Sequence, residues 1–429
     1  MKLSIQNIGV VKEADISIDG LTVICGENDT GKSTIGKTLF ALIKGIIGYE
    51  EDFQSEISYE LATRFRQIHR VIEQEIDLSQ LDDEQIGIIH RHIPISSLFL
   101  AKQVRSGKLQ YNDFLPFIEL LKQLYDDKII ILETYERLLH YIKDIEFFLN
   151  QEINSNKKQK IALERAFFSE FQTLITDESK VHLMDNDING LMIEFNKKSK
   201  IKNELSNLEN FYFGEITYIE TPAVVQFFKL IMSAGVKLPE QNGRRFRETV
   251  PLHTKDLTRK LFNSDSIFSN EAFSNIHEMI YEAIQGDFVY DNGNNDFYLN
   301  RNGKNIPSMD IASGIKSLGI IDILIKNSIL NPNDILILDE PEINLHPEWQ
   351  NKYAEIICML AEYGIKVLVV THSPYMVSAL HHFSKNKDTI KRSFYLAEKD
   401  ESGSYFSDET DNVMGGIVKR FAYALEGMY

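Results

Sequence analysis

Gly26-Glu-Asn-Asp-Thr-Gly31-Lys32-Ser33 decides how this chain is read. The octet fits G-x-x-x-x-G-K-[ST] at every position. It lies between a short apolar strand, Leu21-Thr-Val-Ile-Cys25, and an apolar helical run from Lys32 to about Ile47. Strand, glycine loop and helix, in that order, give the pattern its physical meaning. The glycines let the backbone curl until successive N–H groups face one anion. A helix starting at Lys32 adds the positive end of its dipole. Gly26, Glu27, Asn28, Asp29, Thr30, Gly31, Lys32, Ser33 and Thr34 are therefore the candidate residues around a nucleotide's phosphates. Lys32 would reach the β- and γ-phosphates, and Ser33 would offer its Oγ to Mg²⁺.

Upstream of the loop the sequence reads as β. Leu3–Ile8 and Ala14–Ile18 alternate apolar and polar residues, and Asp19-Gly20 marks a turn. Downstream the pattern changes. From about Glu50 to Asn210 strand signals fade and helical spacing takes over. Ile131, Tyr135, Leu138, Ile142, Ile145 and Leu149 form a stripe on one long helix. A helix packed into a helical domain and a protruding coiled coil both fit that stripe. Breaks near Ile93-Pro94, Asn154-Ser-Asn156 and Asp185-Asn-Asp187 argue against a long coiled arm. The basic runs Lys157–Lys160 and Lys197–Lys200 read as solvated helix ends or as nucleic-acid contacts.

Strand character returns at Ile216–Ile219, followed by a polar loop with Arg244, Arg245 and Arg247. Phe288–Tyr290 and Phe297–Leu299 flank a Gly/Asn turn and predict a hairpin. Ile335–Leu338 and Val367–Val370 are apolar throughout, as strands of a parallel sheet are. Glu398–Ser404 reads as an acidic linker, and Ile417–Leu425 as a terminal helix. The α/β core is thus expected from both chain ends: residues 1–50 and 211–429, with a helical insertion over 51–210.

The second half repeats the phosphate chemistry. Ile335-Leu-Ile-Leu-Asp339-Glu340 is a buried strand that delivers two carboxylates at its C-terminal end, where ligands of open α/β sheets bind. Asp339 would hold Mg²⁺. Glu340 would activate the attacking water as general base. His372, in Val369-Val-Thr-His-Ser373, sits just past another strand and would sense a γ-phosphate. Ser313-Gly314 open a helix whose first N–H groups can grip a phosphate. His346, in Asp339-Glu-Pro-Glu-Ile-Asn-Leu-His-Pro347, is read with structural and functional roles both open.

Composition excludes several other classes. The chain has 429 residues and a net charge of −17, which argues against general DNA coating. Cys25 and Cys358 are its two cysteines, too few for a disulfide framework, and no CxxC zinc motif is present. No signal peptide and no membrane span is legible, so a cytoplasmic protein with no membrane contact is expected.

These motifs, in this order, resemble the ABC-type ATPase head: Walker A, signature, Walker B, D-loop and switch histidine. The resemblance covers roughly residues 1–50 and 290–385. The Asp339–Pro347 and Thr371–Pro374 stretches are similar to the OLD-like and SMC-like branch. That branch includes antiphage ATPases of the Septu and retron-associated PtuA type and of the PARIS AriA type. The resemblance implies an α/β P-loop NTPase head, ATP and Mg²⁺ as cofactors, ATP hydrolysis and a head-to-tail homodimer or higher oligomer. Ser313 and Gly314 would then serve the partner copy's nucleotide. Ile311-Ala-Ser-Gly-Ile315 departs from the usual LSGG or SSGE, which bears on turnover more than on binding.

A separately encoded effector, such as a nuclease or toxin, is the expected partner. About 57 residues follow His372, and they are read as carrying no Toprim module: Asp408, Glu409 and Asp411 fall in a polar loop. A RecF/SMC-like repair or chromosome-maintenance ATPase is the alternative. Direct nucleic-acid contact stays open. The interval of about 280 residues from Lys32 to Ser313 disfavours a transporter motor.

Overall fold

The computed structural model describes residues 1–93, 109–149, 155–185, 188–197, 199–203, 205, 213–236, 249–262, 273–291, 293–294 and 296–421. Arg244, Arg245, Arg247, Lys198, Pro94, Asn154, Asn186, Asp187 and residues 422–429 lie outside them. The chain divides into two compact units: Met1–Ile47 with Leu163–Tyr429, and Gly48–Ala162.

The larger unit is built on a ten-stranded sheet. Its strands are β1 (Lys2–Ile8), β2 (Val11–Ser17), β3 (Leu21–Gly26), β4 (Ile175–Asp185), β5 (Ile188–Glu194), β6 (Ile216–Ile219), β12 (Ile335–Asp339), β13 (Lys366–Thr371), β14 (Arg392–Asp400) and β15 (Gly403–Asp408). The spatial order is β5-β4-β1-β2-β15-β14-β3-β13-β12-β6. Numbers seven and eight are a short parallel pair, Gly235–Val236 and Thr249–Val250. Strands β9 (Asp287–Asp291), β10 (Asp296–Arg301) and β11 (Lys304–Pro307) form a separate antiparallel sheet that contains the expected hairpin.

From β14 through β3, β13 and β12 to β6, every neighbour is parallel. Strands β3 and β12 are buried at every position, which their unbroken apolar runs dictate. Alternate residues feed two cores: Leu336 and Leu338 join one, Ile335 and Ile337 the other. Helix α1 (Lys32–Ile47) packs into the second core through Ile35, Leu39, Phe40 and Ile43. The register aligns the strand ends. Cys25 lies opposite Thr371, Asp339 opposite Val370 and Leu338 opposite Ile219. The next residues, Gly26, His372, Glu340 and Glu220, therefore lie together at the C-terminal ends of these parallel strands.

The smaller unit is helical among its described residues. It holds α2 (Tyr49–Glu75), α3 (Asp83–His92), α4 (Leu115–Asp126) and α5 (Leu132–Leu149), and it includes the start of α6 (Ser155–Phe171). Leu138, Ile142 and Ile145 are buried together with Phe65, Ile68, Phe117 and Leu121. The stripe thus packs into a helical core. Ile131, its first member, precedes the helix and is exposed.

Three expectations are corrected. The helical stretch read over 51–210 gives way at Ile175 to strands β4 and β5, which extend the large sheet beyond β1. Their buried residues are Ile175, Ser179, Val181, Leu183, Leu191 and Ile193, and in β4 three exposed polar residues in a row, Thr176, Asp177 and Glu178, mask the strand signal. Glu398–Ser404 is not a linker but the turn of a hairpin: β14 runs to Asp400, whose Oδ1 accepts the N–H of Ser402 (2.7 Å) and of Gly403 (3.2 Å). Asp408 likewise ends strand β15 rather than lying in a loop, and its Oδ1 accepts the Thr410 N–H at 2.9 Å.

Candidate functional site

The glycine loop joins β3 to α1. Gly31 has φ +76°, and a Cβ there would lie 2.7 Å from Val11 Cγ2, so glycine is needed for both conformation and space. Glu27, Asn28 and Asp29 are exposed at the loop's crest, and Thr30 closes it by donating to the Glu27 carbonyl at 2.8 Å. Thr34 donates its N–H to the Gly31 carbonyl at 3.0 Å. Lys32 is buried, and its ammonium donates to the Glu27 carbonyl at 2.6 Å. Burial pulls its pKa below the ordinary lysine value, against Glu340 and Asp339, which favour the charge.

Asp339 meets this loop from β12. Ser33 Oγ donates to its Oδ1 at 3.1 Å and the Tyr218 hydroxyl to its Oδ2 at 2.5 Å. Burial raises the Asp339 carboxyl above its ordinary pKa, opposed by those two hydroxyls. A hydroxyl and a carboxylate at hydrogen-bond distance form an all-oxygen donor pair that fits Mg²⁺ whose other ligands are phosphate and water. Among the described residues no group of three or more His, Cys, Asp or Glu could hold a metal ion without such help.

Glu340 follows with φ +52°, a left-handed conformation unusual for a non-glycine residue. Its N–H donates to the Val370 carbonyl at 2.8 Å, which locks the turn onto β13. His372 Nδ1 lies 3.2 Å from Glu340 Oε1 and 3.5 Å from Glu342 Oε1. Lys32, Ser33, Asp339, Glu340 and His372 are thereby brought together at the C-terminal ends of β3, β12 and β13.

Ser313 and Gly314 open a different helix, Ser313–Lys326, after Ala312, which supplies no side-chain cap. A Cβ on Gly314 would lie 2.4 Å from Leu345 Cδ2, so the glycine lets this helix start pack against the loop after β12. Among the described residues no hydrogen bond or ion pair joins Ser313 or Gly314 to the Lys32 loop. His346 caps the helix Pro347–Glu362, its Nδ1 accepting from Glu348 N–H at 3.3 Å, which is a structural role.

Several residues around the site escaped the sequence reading. Tyr218 and Glu220 come from β6 and its end. Lys37 on α1 donates to Glu220 at 2.7 Å. His253, almost fully buried, bridges Glu220 (3.0 Å) and Glu170 (2.7 Å) through its two ring nitrogens. Burial pulls His253 down, but the two carboxylates more than reverse it and push it up to about 9. The His253 hydrogen bond and Lys37 hold Glu220 down at about 2 against burial. None of these residues stands in a local motif, so long-range pairing alone could have revealed them. Glu342, two residues after Glu340, was legible as a third carboxylate. Cys25, next to the loop, is a thiol that burial pushes up to about 12, so it stays unreactive.

No helix among the described residues is long and apolar enough to cross a membrane. A 49-residue stretch is 43% identical to the Old nuclease of Escherichia phage P2, covering 11% of this chain and 8% of that protein's length. The SMC head bound to the C-winged helix domain of ScpA aligns at 10% identity over 95% of this chain and 96% of that one, with a TM-score of 0.41. The SMC head domain from Thermotoga maritima aligns at 9% identity over 95% and 97%, with a TM-score of 0.37. A family model, the AAA ATPase domain, matches residues 1–377, and the chain belongs to that family.

Proposed function

We propose that this chain binds ATP with Mg²⁺ and hydrolyses it as an ABC-type head that controls a separately encoded effector in antiphage defence. The observation that carries the ATPase reading is the meeting of Lys32, Ser33, Asp339, Glu340 and His372 at the C-terminal ends of β3, β12 and β13. Gly26–Thr34 wrap the phosphates with backbone N–H groups, and Lys32 neutralises them. Ser33 and Asp339 hold Mg²⁺, which offsets phosphate charge when bound. Glu340 accepts the proton of the attacking water, and His372 reads the γ-phosphate.

Ser313 and Gly314 act on the nucleotide of a second copy, in a head-to-tail pair or larger assembly. Among the described residues no hydrogen bond or ion pair ties their helix start to the Lys32 loop of the same chain, which leaves it open to a second copy's nucleotide. The effector reading rests on the resemblance of the Asp339–Pro347 and Thr371–Pro374 stretches to OLD-like ATPases, and the short match to a phage nuclease agrees with it. The site of action would be the cytoplasm.

Phosphate release from ATP, compared between wild type and Glu340→Gln, tests the enzyme. Equal rates would remove Glu340 as the base, and no release from either would remove hydrolysis. A tagged pull-down from native cells with and without ATP tests the effector. A stoichiometric nuclease or toxin supports it. Recovery of the chain with DNA alone would move the assignment to repair or chromosome maintenance.

A further inference from the structure

Glu342 is 4% exposed, yet it is a carboxylate with no lysine or arginine paired to it among the described residues. Its Oε1 collects three donors from one short segment: Thr371 Oγ1 at 2.5 Å, His372 N–H at 3.0 Å and Ser373 N–H at 3.2 Å. The same oxygen lies 3.5 Å from His372 Nδ1. Its other oxygen, Oε2, is buried and has no hydrogen-bond partner. Leaving a buried carboxylate oxygen unsatisfied costs free energy, so a core-filling role alone would favour a neutral side chain here. The segment it grips is the exit of β13, where the chain turns from strand into the loop that carries His372. Ser373, gripped at its N–H, passes the restraint on through a 2.8 Å bond from its Oγ to Gln350 Oε1.

We infer that Glu342 is a positioning residue for His372. It fixes the backbone of the Thr371–Ser373 turn, so the imidazole is held beside Glu340 and aimed where a γ-phosphate would lie. It does not touch nucleotide; it acts through His372. The inference rests on the ATPase reading above, and its test separates the two.

Wild type, Glu342→Ala, Glu342→Gln, His372→Ala and the Glu342→Ala/His372→Ala double variant are compared for kcat, KM for ATP and thermal unfolding. Glu342→Ala should lower kcat about 10- to 100-fold, the scale set by misplacing a reacting group, with KM changed less than about 3-fold. Glu342→Gln keeps an acceptor oxygen and should recover most of that loss. The double variant should be no slower than His372→Ala. Additive losses, or a Gln variant as slow as the Ala variant, would overturn the inference.

Should Glu342→Ala fail to fold, Thr371→Val removes one donor without opening a cavity, and it should lower kcat by a smaller factor that also vanishes in the His372→Ala background. Absence of turnover in wild type would sink the hydrolysis reading alone. The positioning inference is then decided by the ratio of ATP to ADP affinity. Glu342→Ala should flatten that ratio as His372→Ala does, and an unchanged ratio would overturn it.

Discussion

In the larger unit, Lys32, Asp339, Glu342 and His253 are all buried, and each is held by named partners. In Gly48–Ala162 the interior is apolar, and ion pairs such as Arg64–Asp144 and Arg137–Glu75 stay partly exposed around it. Among the described residues, charged side chains are buried only in the larger unit. Buried ionic groups are weak evidence for stability and better evidence for a site. The contrast agrees with the chemistry proposed for the first unit, while the described interior of the second is apolar packing.

The largest effect that could break this contrast comes from Lys32→Ala. Removing the one ammonium inside the phosphate loop should weaken ATP binding on the order of 10³-fold, about 4 kcal/mol. The change replaces a helical residue by alanine, so α1 itself should persist. A fluorescent-nucleotide titration checks it, and unchanged affinity would detach the loop from nucleotide.

Leu138→Ala makes the opposite demand. It removes a fully buried side chain from the helical core and should destabilise that unit by about 3 kcal/mol. Nucleotide affinity should stay within about 3-fold of wild type. Hydrogen exchange resolved by peptide, alongside the same titration, reads both. A large loss of affinity would show that the two units share more than a chain.

The contrast also explains what was legible. Gly26–Ser33, Asp339-Glu340 and His372 are local signals, because phosphate chemistry fixes residue types at fixed spacing. The parallel strands were legible because burial on both faces leaves an unbroken apolar run. Strands β4 and β5 were not, since the polar run Thr176-Asp177-Glu178 breaks the alternation in β4 and Met192 stands between Leu191 and Ile193 in β5. Tyr218, His253 and Glu170 were silent because their partners lie tens to hundreds of residues away. The helical unit announced its stripe at Leu138, Ile142 and Ile145 but nothing of its use, since apolar spacing specifies packing and not a ligand.

An effect of similar size follows from His253. Its folded pKa, about 9, lies above the ordinary histidine value near 6.5. The folded state therefore holds the proton more tightly. Its contribution is complete below pH ~6.5 and is lost as pH rises through about 9. Protection of peptides around Leu252–Phe262 and Ile216–Glu220 should fall across that window by about 3 kcal/mol. His253→Gln should start lower at pH 6.5 and stay flat. A wild-type profile that is already flat would mean the Glu170–His253–Glu220 bridge does not favour the charged ring.

The smallest effect tests the other side of the contrast. Arg137 reaches Glu75 at 2.6 Å and Thr134 Oγ1 donates to the same carboxylate at 2.7 Å, which on distances alone resembles the His253 bridge. Solvent decides otherwise. The Arg137 and Glu75 side chains are 35% and 29% exposed, so water already solvates both and competes for each bond. Glu75→Gln keeps the Thr134 acceptor and gives up only a screened charge, so unfolding of the helical unit should change by less than about 1 kcal/mol. Raising salt should reduce the wild-type advantage further. Were Glu75→Gln to cost as much as the loss of His253, distance and not burial would be setting the strength of these bridges. The division between a charge-burying unit and an apolar one would then lose its energetic basis.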